Sequence, residues 1–512
     1  MQPFSSFASR FATLISWILS CFDRVIFKGY LPISRPDQFS HFVDHVLKLR
    51  RVEFIKKVAP HWAQRIVDHS KSLAQRQGRT WEYKTGRVDK DAWAKALLQK
   101  NEVIEGLLGV LCVMESCKTY KLGYSEGRPQ FVSSMVPQRV VYFYFVDKKL
   151  GVMHVRLQTW APFTCQIYVN GHDYVARQLK KKGIRFQQND NAFVELSDPA
   201  AAQRIANRFS RLRWPKILER YARRVNPLLG QELRGASHYW VTDQAEYATD
   251  ICFRDRGQLA LVFRWLLEFA LLTFSPQKIF SYLGRKWHER FDGEVQTHYR
   301  SVREPGACIK HFMKGNWLKM YDKLAQLIRV ETVINQPGEF KVLRECRHRN
   351  GNTSLGWFPM GKGVGNLHHY QSHAQACNER YLNALAAVKD PTPGYADLKR
   401  LTESQNDKGR HSAGFNPARE EEACLFAAVL AGDHIAQGFR NKDVRAALRF
   451  KAGSDVEQRR QSAAVGRMLR RLHVRGLIAK VSRTRRWRVT DEGRRILGNL
   501  LQTYRCYNRQ VA

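Results

Sequence analysis

The organisation of the chain is read most directly from Leu472-His473-Val474-Arg475-Gly476-Leu477-Ile478-Ala479-Lys480-Val481-Ser482-Arg483-Thr484-Arg485-Arg486-Trp487-Arg488-Val489-Thr490-Asp491-Glu492-Gly493-Arg494-Arg495. Leu477 to Val481 and Arg486 to Thr490 predict two paired strands around the turn Ser482 to Arg485. Gly476 is placed to end a preceding helix. That helix starts at Ser454 or Asp455, runs to about Val474, and carries Val465, Met468, Leu469 and Leu472 as its inner stripe. Upstream, Glu420 to Ala431 predicts one helix, and Asn441 or Lys442 to Leu448 a short second one. Downstream, Asp491-Glu492-Gly493-Arg494-Arg495 opens a last helix.

Helix, helix, long helix, hairpin, helix is the order of a winged helix. With its L-x-x-x-G-L-I-x-K pattern, basic hairpin tip and T-D-E-G-R, the stretch resembles the winged helix of MarR-type and related bacterial DNA-binding domains. The resemblance implies a nucleic-acid contact. Arg459, Arg460, Arg467, Arg470 and Arg471 would line the outer face of the third helix, which enters a major groove. Arg483, Arg485, Arg486 and Arg488 would sit on the wing, against phosphates or a minor groove. A winged helix used for protein contacts, with solvated arginines, is the alternative.

The composition agrees with a polyanionic partner. Lys and Arg number 85 against 46 Asp and Glu, giving a formal charge of +39, and the pI is near 10.1. Such an excess points to DNA or RNA ahead of an anionic membrane. With 512 residues, 44% hydrophobic and 12% aromatic, the chain holds several folded cores and is not mainly disordered. Ten cysteines are scattered, the closest pair being Cys112 and Cys117, and no C-x-x-C occurs. No structural zinc and no disulfide framework are expected, which fits a reducing cytoplasm at the bacterial nucleoid. Phe11 to Phe22 looks like a signal h-region, but the strand-like Asp23-Arg24-Val25-Ile26-Phe27 follows at once. Leu259 to Phe274 is broken by Arg264 and Glu268 and reads as a buried helix. No membrane partner is expected; self-association is left open.

The expected fold class is α+β. Residues 1–135 form a mainly helical N-terminal region, with helices at Phe39 to Val58, Trp62 to Gln77 and Asp91 to Leu108, and a short strand at Asp23 to Tyr30. Residues 136–400 form a mixed α/β body with an antiparallel sheet. Its strands are Val140 to Val146, Val152 to Thr159 and Phe163 to Val169, followed by a helix from His172 to Lys181 and basic helices at Ala201 to Arg213 and Lys216 to Arg224. A hairpin of Ile309 to Tyr321 and Leu327 to Ile334 follows. Residues 401–419 read as a polar linker, and 420–512 as the winged helix.

The hairpin carries the densest candidate chemistry. Lys319, Tyr321 and Lys323 share a strand face if the strand runs on into the turn, and Arg329 and Glu331 share one on the return strand. If buried, these charges must be paired. The K-x-Y-x-K followed by L-x-R-x-E resembles a hairpin of some plasmid and filamentous-phage replication initiators. That resemblance implies a nicking tyrosine, Tyr321, and a metal held by a histidine pair or related polar cluster. The initiators' His-hydrophobic-His motif is not found in this sequence. A charge-paired hairpin that orders the core is the competing reading.

Acids offer a second route to chemistry. Asp23 and Asp147 flank strands. Asp243, Glu246 and Asp250, three and four residues apart, would share one face of a helix. Carboxylates so gathered bind Mg²⁺ or Mn²⁺ for phosphoryl chemistry. The order strand, strand, strand, helix over residues 140–181 is also compatible with the RNase H-like nuclease core of many transposases. Arg208 to Arg224, with Arg213, Trp214 and Tyr221, suits phosphate contact plus base stacking, as does Arg285 to Arg290. Gly361-Lys362-Gly363-Val364-Gly365 lacks the ending of a P-loop and reads as a loop. His368, His369 and His373 have no Cys to complete a metal set.

Phrases such as Tyr168-Val169-Asn170-Gly171-His172, Ala248-Thr249-Asp250 and Lys319-Met320-Tyr321-Asp322-Lys323 look like those of uncharacterised bacterial mobile-element, transposase-like proteins. The expected function is nucleic-acid binding by such an element, with cutting or nicking of DNA by Tyr321, Glu331, Lys319, Lys323 and Asp250. The alternative is a non-enzymatic DNA- or RNA-binding regulator or ribonucleoprotein component.

Overall fold

The structure is a computed structural model that describes residues 5–100, 103, 105–125, 127–286, 295–300, 307–348, 351–386, 400–407, 409–416, 419–431, 438–448, 450, 454–482 and 484–510. Its strands are β1 (Ile15–Tyr30), β2 (Trp81–Lys84), β3 (Gly106–Ser125), β4 (Arg128–Asp147), β5 (Gly151–Gln158), β6 (Cys165–Asn170), β7 (Phe186–Asn189), β8 (Ala192–Leu196), β9 (Tyr239–Phe253), β10 (Val295–Arg300), β11 (Cys308–Met313), β12 (Asn316–Lys323), β13 (Leu327–Ile334), β14 (Lys341–Arg347), β15 (Thr353–Pro359), β16 (Gln405–Asp407), β17 (Arg410–Ser412), β18 (Ile478–Lys480) and β19 (Trp487–Val489). The protein is α+β with a mixed sheet. Two compact units are distinguished: Leu19–Ala248 with Val333–His373, and Met1–Ile18 with Thr249–Thr332 and Ala374–Ala512.

In the first unit β1, β6, β5, β4, β3 and β2 are neighbours in that order. The β1–β6, β6–β5, β5–β4 and β4–β3 pairs are antiparallel, as expected for β4, β5 and β6, and β2–β3 is parallel, so the sheet as a whole is mixed. Residues 140–147 of β4 are buried throughout, which explains why they read as a continuous apolar run without alternation. Each face has its own cover. Tyr144 meets Trp93 of the helix Lys90–Lys100 at 5.4 Å between rings, while its neighbour Phe145 meets Tyr221 of the helix Trp214–Val225 at 5.1 Å. Asn170 caps the helix Gly171–Lys181, its side chain accepting from the His172 and Asp173 N–H groups. Gly171 permits a close approach: a Cβ there would stand 2.1 Å from the Phe22 carbonyl oxygen.

Several expectations fail here. The N-terminal region is not mainly helical, because the 16-residue β1 and the 20-residue β3 run through it. The signal-like Phe11 to Phe22 lies largely in β1, where Leu19, Cys21 and Phe22 are core residues. The helix expected at Asp91 to Leu108 stops at Lys100 and β3 begins at Gly106. The Leu and Val spacing there satisfied a helix only because β3 buries Leu107, Leu108, Val110 and Leu111 on both faces.

In the second unit β10, β11, β12, β13 and residues 249–253 of β9 are neighbours in that order. The single strand expected from Ile309 to Tyr321 is two strands, β11 and β12, paired antiparallel across Lys314 and Gly315, whose φ values are +44° and +79°. Every residue of β13 is buried. Among the described residues no single helix is long and apolar enough to cross a membrane. Only the pair Arg256–Leu271 and Pro276–Tyr282, bent by 117°, reaches that length and composition jointly. Leu259, Leu266 and Ala270 of the first of these helices are buried.

The C-terminal part of this unit follows the order helix Glu420–Val429, helix Asn441–Ala447, helix Asp455–Val474, β18, β19, helix Asp491–Gln510. Val465, Leu469 and Leu472 pack with Leu425, Phe426, Val429, Ile478, Val489 and Leu497 in one core. Gly476, at φ +71°, closes the long helix, with its N–H on the His473 carbonyl and the Leu477 N–H on the Leu472 carbonyl. β18 and β19 pair antiparallel, and Phe439 adds a two-way backbone bridge to Trp487. The stretch expected to be a linker carries the β16–β17 ladder and supplies Leu401 and Phe415 to the same core.

Candidate functional site

The hairpin β12–β13 places its charged residues on one face because side chains alternate along a strand and β12 continues through Lys323 before turning at Leu324 and Ala325. Lys319 Nζ lies 3.1 Å from Glu331 Oε2, and the Tyr321 hydroxyl donates to the same oxygen at 3.4 Å. Two residues along β13, Arg329 forms a bidentate pair with Asp250 of β9: Nε donates to Oδ1 at 2.6 Å and Nη2 to Oδ2 at 2.8 Å. Arg329 and Asp250 are both 0% exposed. Lys323 is buried at the end of β12.

The opposite face of β13 carries a neutral chain. The Thr332 hydroxyl donates to Asn378 Oδ1 at 2.7 Å, and Asn378 Nδ2 donates to the Thr249 hydroxyl at 3.1 Å. Nearby strands hold His311, whose two ring nitrogens lie 3.0 Å from the Thr297 and Tyr381 hydroxyls. Complete burial pushes its pKa down to about 3, so this ring is neutral.

All five expected catalytic residues therefore lie on β9, β12 and β13. Lys319 and Tyr321 meet Glu331 directly, and Asp250 pairs with Arg329, two residues along β13 from Glu331. Asp250 does not reach this position from a helix. Residues 243, 246 and 250 stand on β9, because Val241, Thr242, Thr249 and Ile251 favour a strand over the helical spacing of the acids. Arg329 bonds both oxygens of Asp250, and Lys319 with Tyr321 occupies one oxygen of Glu331. Burial with mutual pairing is what an ion cluster requires in a low-dielectric interior.

A different acidic grouping lies in the first unit. Asp23 of β1 and Glu246 of β9 are both buried, with carboxylate oxygens within 4.8 Å of each other. His172 Nδ1 lies 3.0 Å from Asp23 Oδ1, Asn191 Nδ2 donates to Asp23 Oδ1 at 2.7 Å, and Gln244 Nε2 donates to Glu246 Oε1 at 3.2 Å. Two buried carboxylates so close repel unless they share a proton or a cation, and hard divalent ions take such oxygens. Asp147 has another role: it accepts from the Tyr221 hydroxyl at 2.5 Å and from Arg220 at 3.3 Å, and its carboxylate caps the turn at Lys149 and Leu150. The Gly361–Gly365 loop also holds structure, since the Thr242 N–H donates to the Lys362 carbonyl at 2.8 Å.

The expected nucleic-acid residues divide. Arg459, Arg460 and Arg467 are exposed on the helix Asp455–Val474, away from its buried Val465, Leu469 and Leu472 stripe. Arg485 is exposed beside β19, while Arg470, Arg486 and Arg488 are half-buried. Arg483 lies outside the described residues, as do residues 287–290 of the expected basic stretch at 285–290. Arg471 is not an outer-face residue: its guanidinium lies 3.9 Å from the centre of the Phe415 ring and pairs with Glu422 at 3.0 Å. Arg475, which the sequence reading passed over, is 1% exposed and donates to the Glu403 and Ala413 carbonyls at 2.7 and 2.9 Å. Arg213 is exposed, but Trp214 is only 1% exposed and packs on Phe27 and Phe209. A ring enclosed in that way presents no face for a base, so the stacking expectation for Trp214 is corrected.

Among the residues not foreseen, Asn378 and Thr249 give no local signal. His172 could have been found from its place two residues after the capping Asn170. Set against models of protein families, curated proteins and solved structures, the chain matches none of them.

Proposed function

We propose that the chain is a nucleic-acid-binding protein of a bacterial mobile element, and that its C-terminal segment is a winged helix that docks on duplex DNA. The observation that carries this reading is the helix Asp455–Val474, with Arg459, Arg460 and Arg467 exposed on one side and Val465, Leu469 and Leu472 held in the core on the other. Such a helix is anchored by its apolar stripe and offers guanidinium groups to phosphates and guanine edges. The formal charge of +39 supplies the long-range attraction. The test is fluorescence anisotropy with a labelled duplex, comparing the intact protein with a variant carrying Arg459→Ala, Arg460→Ala and Arg467→Ala. Duplex affinity equal in the two would leave the segment a protein-contact module.

A cutting activity in addition is favoured by one observation, the close buried carboxylates of Asp23 and Glu246. With Mg²⁺ or Mn²⁺ between them they would polarise a phosphodiester or activate a water. Supercoiled plasmid relaxed by the protein with either ion, but not by Glu246→Gln, is the expected result. No relaxation by the intact protein would leave a non-enzymatic regulator or ribonucleoprotein component.

A further inference from the structure

One cleft of the first unit gathers more cations than its acids neutralise. It is lined from the helical segments Phe42–Val46, Arg51–Glu53 and Phe54–Val58 and from the start of β4, and measures about 790 Å³. Five cations and two acids face it, and both acids are engaged. Arg51 clasps Asp44, with Nε donating to Oδ1 at 3.1 Å and Nη2 to Oδ2 at 2.5 Å, while its Nη1 donates to the Pro129 carbonyl at 2.8 Å. Glu53 lies 3.8 Å from Lys57 Nζ. The other three cations, Arg50, Lys56 and Arg128, are exposed, and among the described residues none of them pairs with a carboxylate. Because Arg51 ties the helical wall to the residue that follows Arg128, the cations stand around a braced concavity and not on a free surface.

Like charges gathered in one concavity repel one another and focus their field outward, and an anion relieves that cost. The lining narrows the choice of anion. Its apolar members among the described residues are Val52 and Pro129, with no aromatic ring on which an unstacked base could lie. The cleft therefore recognises phosphate and not base. Protein carboxylates are sparse beside the phosphates of a duplex, which carry one charge per about 1.7 Å of helix axis. Arg supplies a fork that fits two phosphate oxygens, and Lys a point charge beside it. We propose that this cleft binds the phosphate backbone of duplex DNA through Arg50, Lys56 and Arg128, as a contact additional to that of the C-terminal segment. The choice of duplex DNA rests on the reading of that segment; the phosphate chemistry of the cleft does not.

The experiment titrates the full-length protein with a long, labelled mixed-sequence duplex over a range of salt. A variant carrying Arg50→Ala, Lys56→Ala and Arg128→Ala is expected to lower the slope of log affinity against log salt by about 1 to 3, close to one for each lost phosphate contact. Arg50→Lys with Arg128→Lys keeps the charge and should keep most of the slope. The control removes Lys180, Lys181 and Lys182, which are equally exposed but lie outside the cleft, and should leave the slope unmoved. All three cleft side chains are exposed, so matched melting is expected and is checked first; should the triple variant melt early, Lys56→Ala alone should lower the slope by about 1. A wild-type slope in the cleft variant, or an equal fall in the control, overturns the proposal. Pyrophosphate that binds through the same three cations while the duplex slope stays unmoved would make the ligand a free phosphorylated molecule and overturn the backbone assignment. Polyglutamate bound as tightly as the duplex, and lost in the same variant, would give the cleft to an acidic protein. The two DNA contacts are separable: a slope lowered by the cleft variant but untouched by loss of Arg459, Arg460 and Arg467 would refute the winged-helix reading and leave the cleft standing.

Discussion

Replacing Asp250 by Ala is the sharpest test of how the hairpin is held. Arg329 and Asp250 are both 0% exposed and share bonds of 2.6 and 2.8 Å. Removing the carboxylate takes both of these charge-assisted bonds from a guanidinium in the interior, and breaking buried pairs of this kind costs about 3–5 kcal/mol. That is a fifth or more of the roughly 5–15 kcal/mol that holds an ordinary domain together. The assay is urea unfolding, with Asp37→Ala as the control. Asp37 sits in a surface pair with Arg35 at 3.2 Å, where solvent screens the charges, so its loss should leave the midpoint unmoved.

A companion variant separates charge from packing. Arg329→Met with Asp250→Leu removes both charges and keeps most of the volume, so it should recover most of the stability lost by Asp250→Ala alone. If Asp250→Ala does not fold, a folded double variant still carries the argument. An Asp250→Ala protein that unfolds at the wild-type urea midpoint would refute it. If that same protein had also lost a Mg²⁺-dependent cleavage, Asp250 would be a metal ligand instead of a core anchor.

Tyr321→Phe should cost less than about 1 kcal/mol, because the bond it deletes is long at 3.4 Å. Loss of strand nicking in a Tyr321→Phe protein of unchanged stability would make the hydroxyl a nucleophile. His311 is held neutral by burial, with a pKa near 3 against 6.5 in the unfolded chain. Its contribution is therefore full above pH 6.5 and is lost as pH falls towards 3, at about 1.4 kcal/mol per pH unit. A His311→Gln protein should show a correspondingly shallower loss of stability in acid. Duplex binding should fall by roughly 10³–10⁵ between about 50 and 200 mM salt if 6–10 phosphates are contacted; a flat salt titration would remove the electrostatic basis of the proposed function.

The hairpin was legible because strands repeat every two residues. That period put Lys319, Tyr321 and Lys323 on one face of their strand and Arg329 with Glu331 on one face of the return strand. Its partners were not legible. Asp250 meets Arg329 from 79 residues away, and Asn378 meets Thr332 from 46 residues away. Nothing in local spacing records such pairings. β1 was read only as a short strand from Asp23, and β3 was missed. Residues 19–23 of β1 and 107–113 of β3 are buried on both faces, so these stretches lack the alternation that marks a half-buried strand. In β3 the run Leu111 to Lys121 also holds Met114, Glu115 and Lys118, residues that favour helix when read locally.

The acids of β9 show how a correct pattern leads to the wrong element. Spacings of three and four suit a helix, and three carboxylates on one helical face are a plausible metal site. On a strand, Glu246 and Asp250 take one face and Asp243 the other, so the grouping dissolves. Its members then find separate partners. Asp243 accepts from Gln166, Glu246 comes within reach of Asp23, and Asp250 neutralises Arg329. The residue type was a good guide to buried chemistry in each case, since a buried carboxylate always demands a donor, a proton or a cation. What the spacing could not supply was the identity of that counterpart. In this chain the counterpart decides the role: a guanidinium makes Asp250 part of the core, whereas a second carboxylate makes Asp23 and Glu246 the pair at which a divalent ion has most to offset.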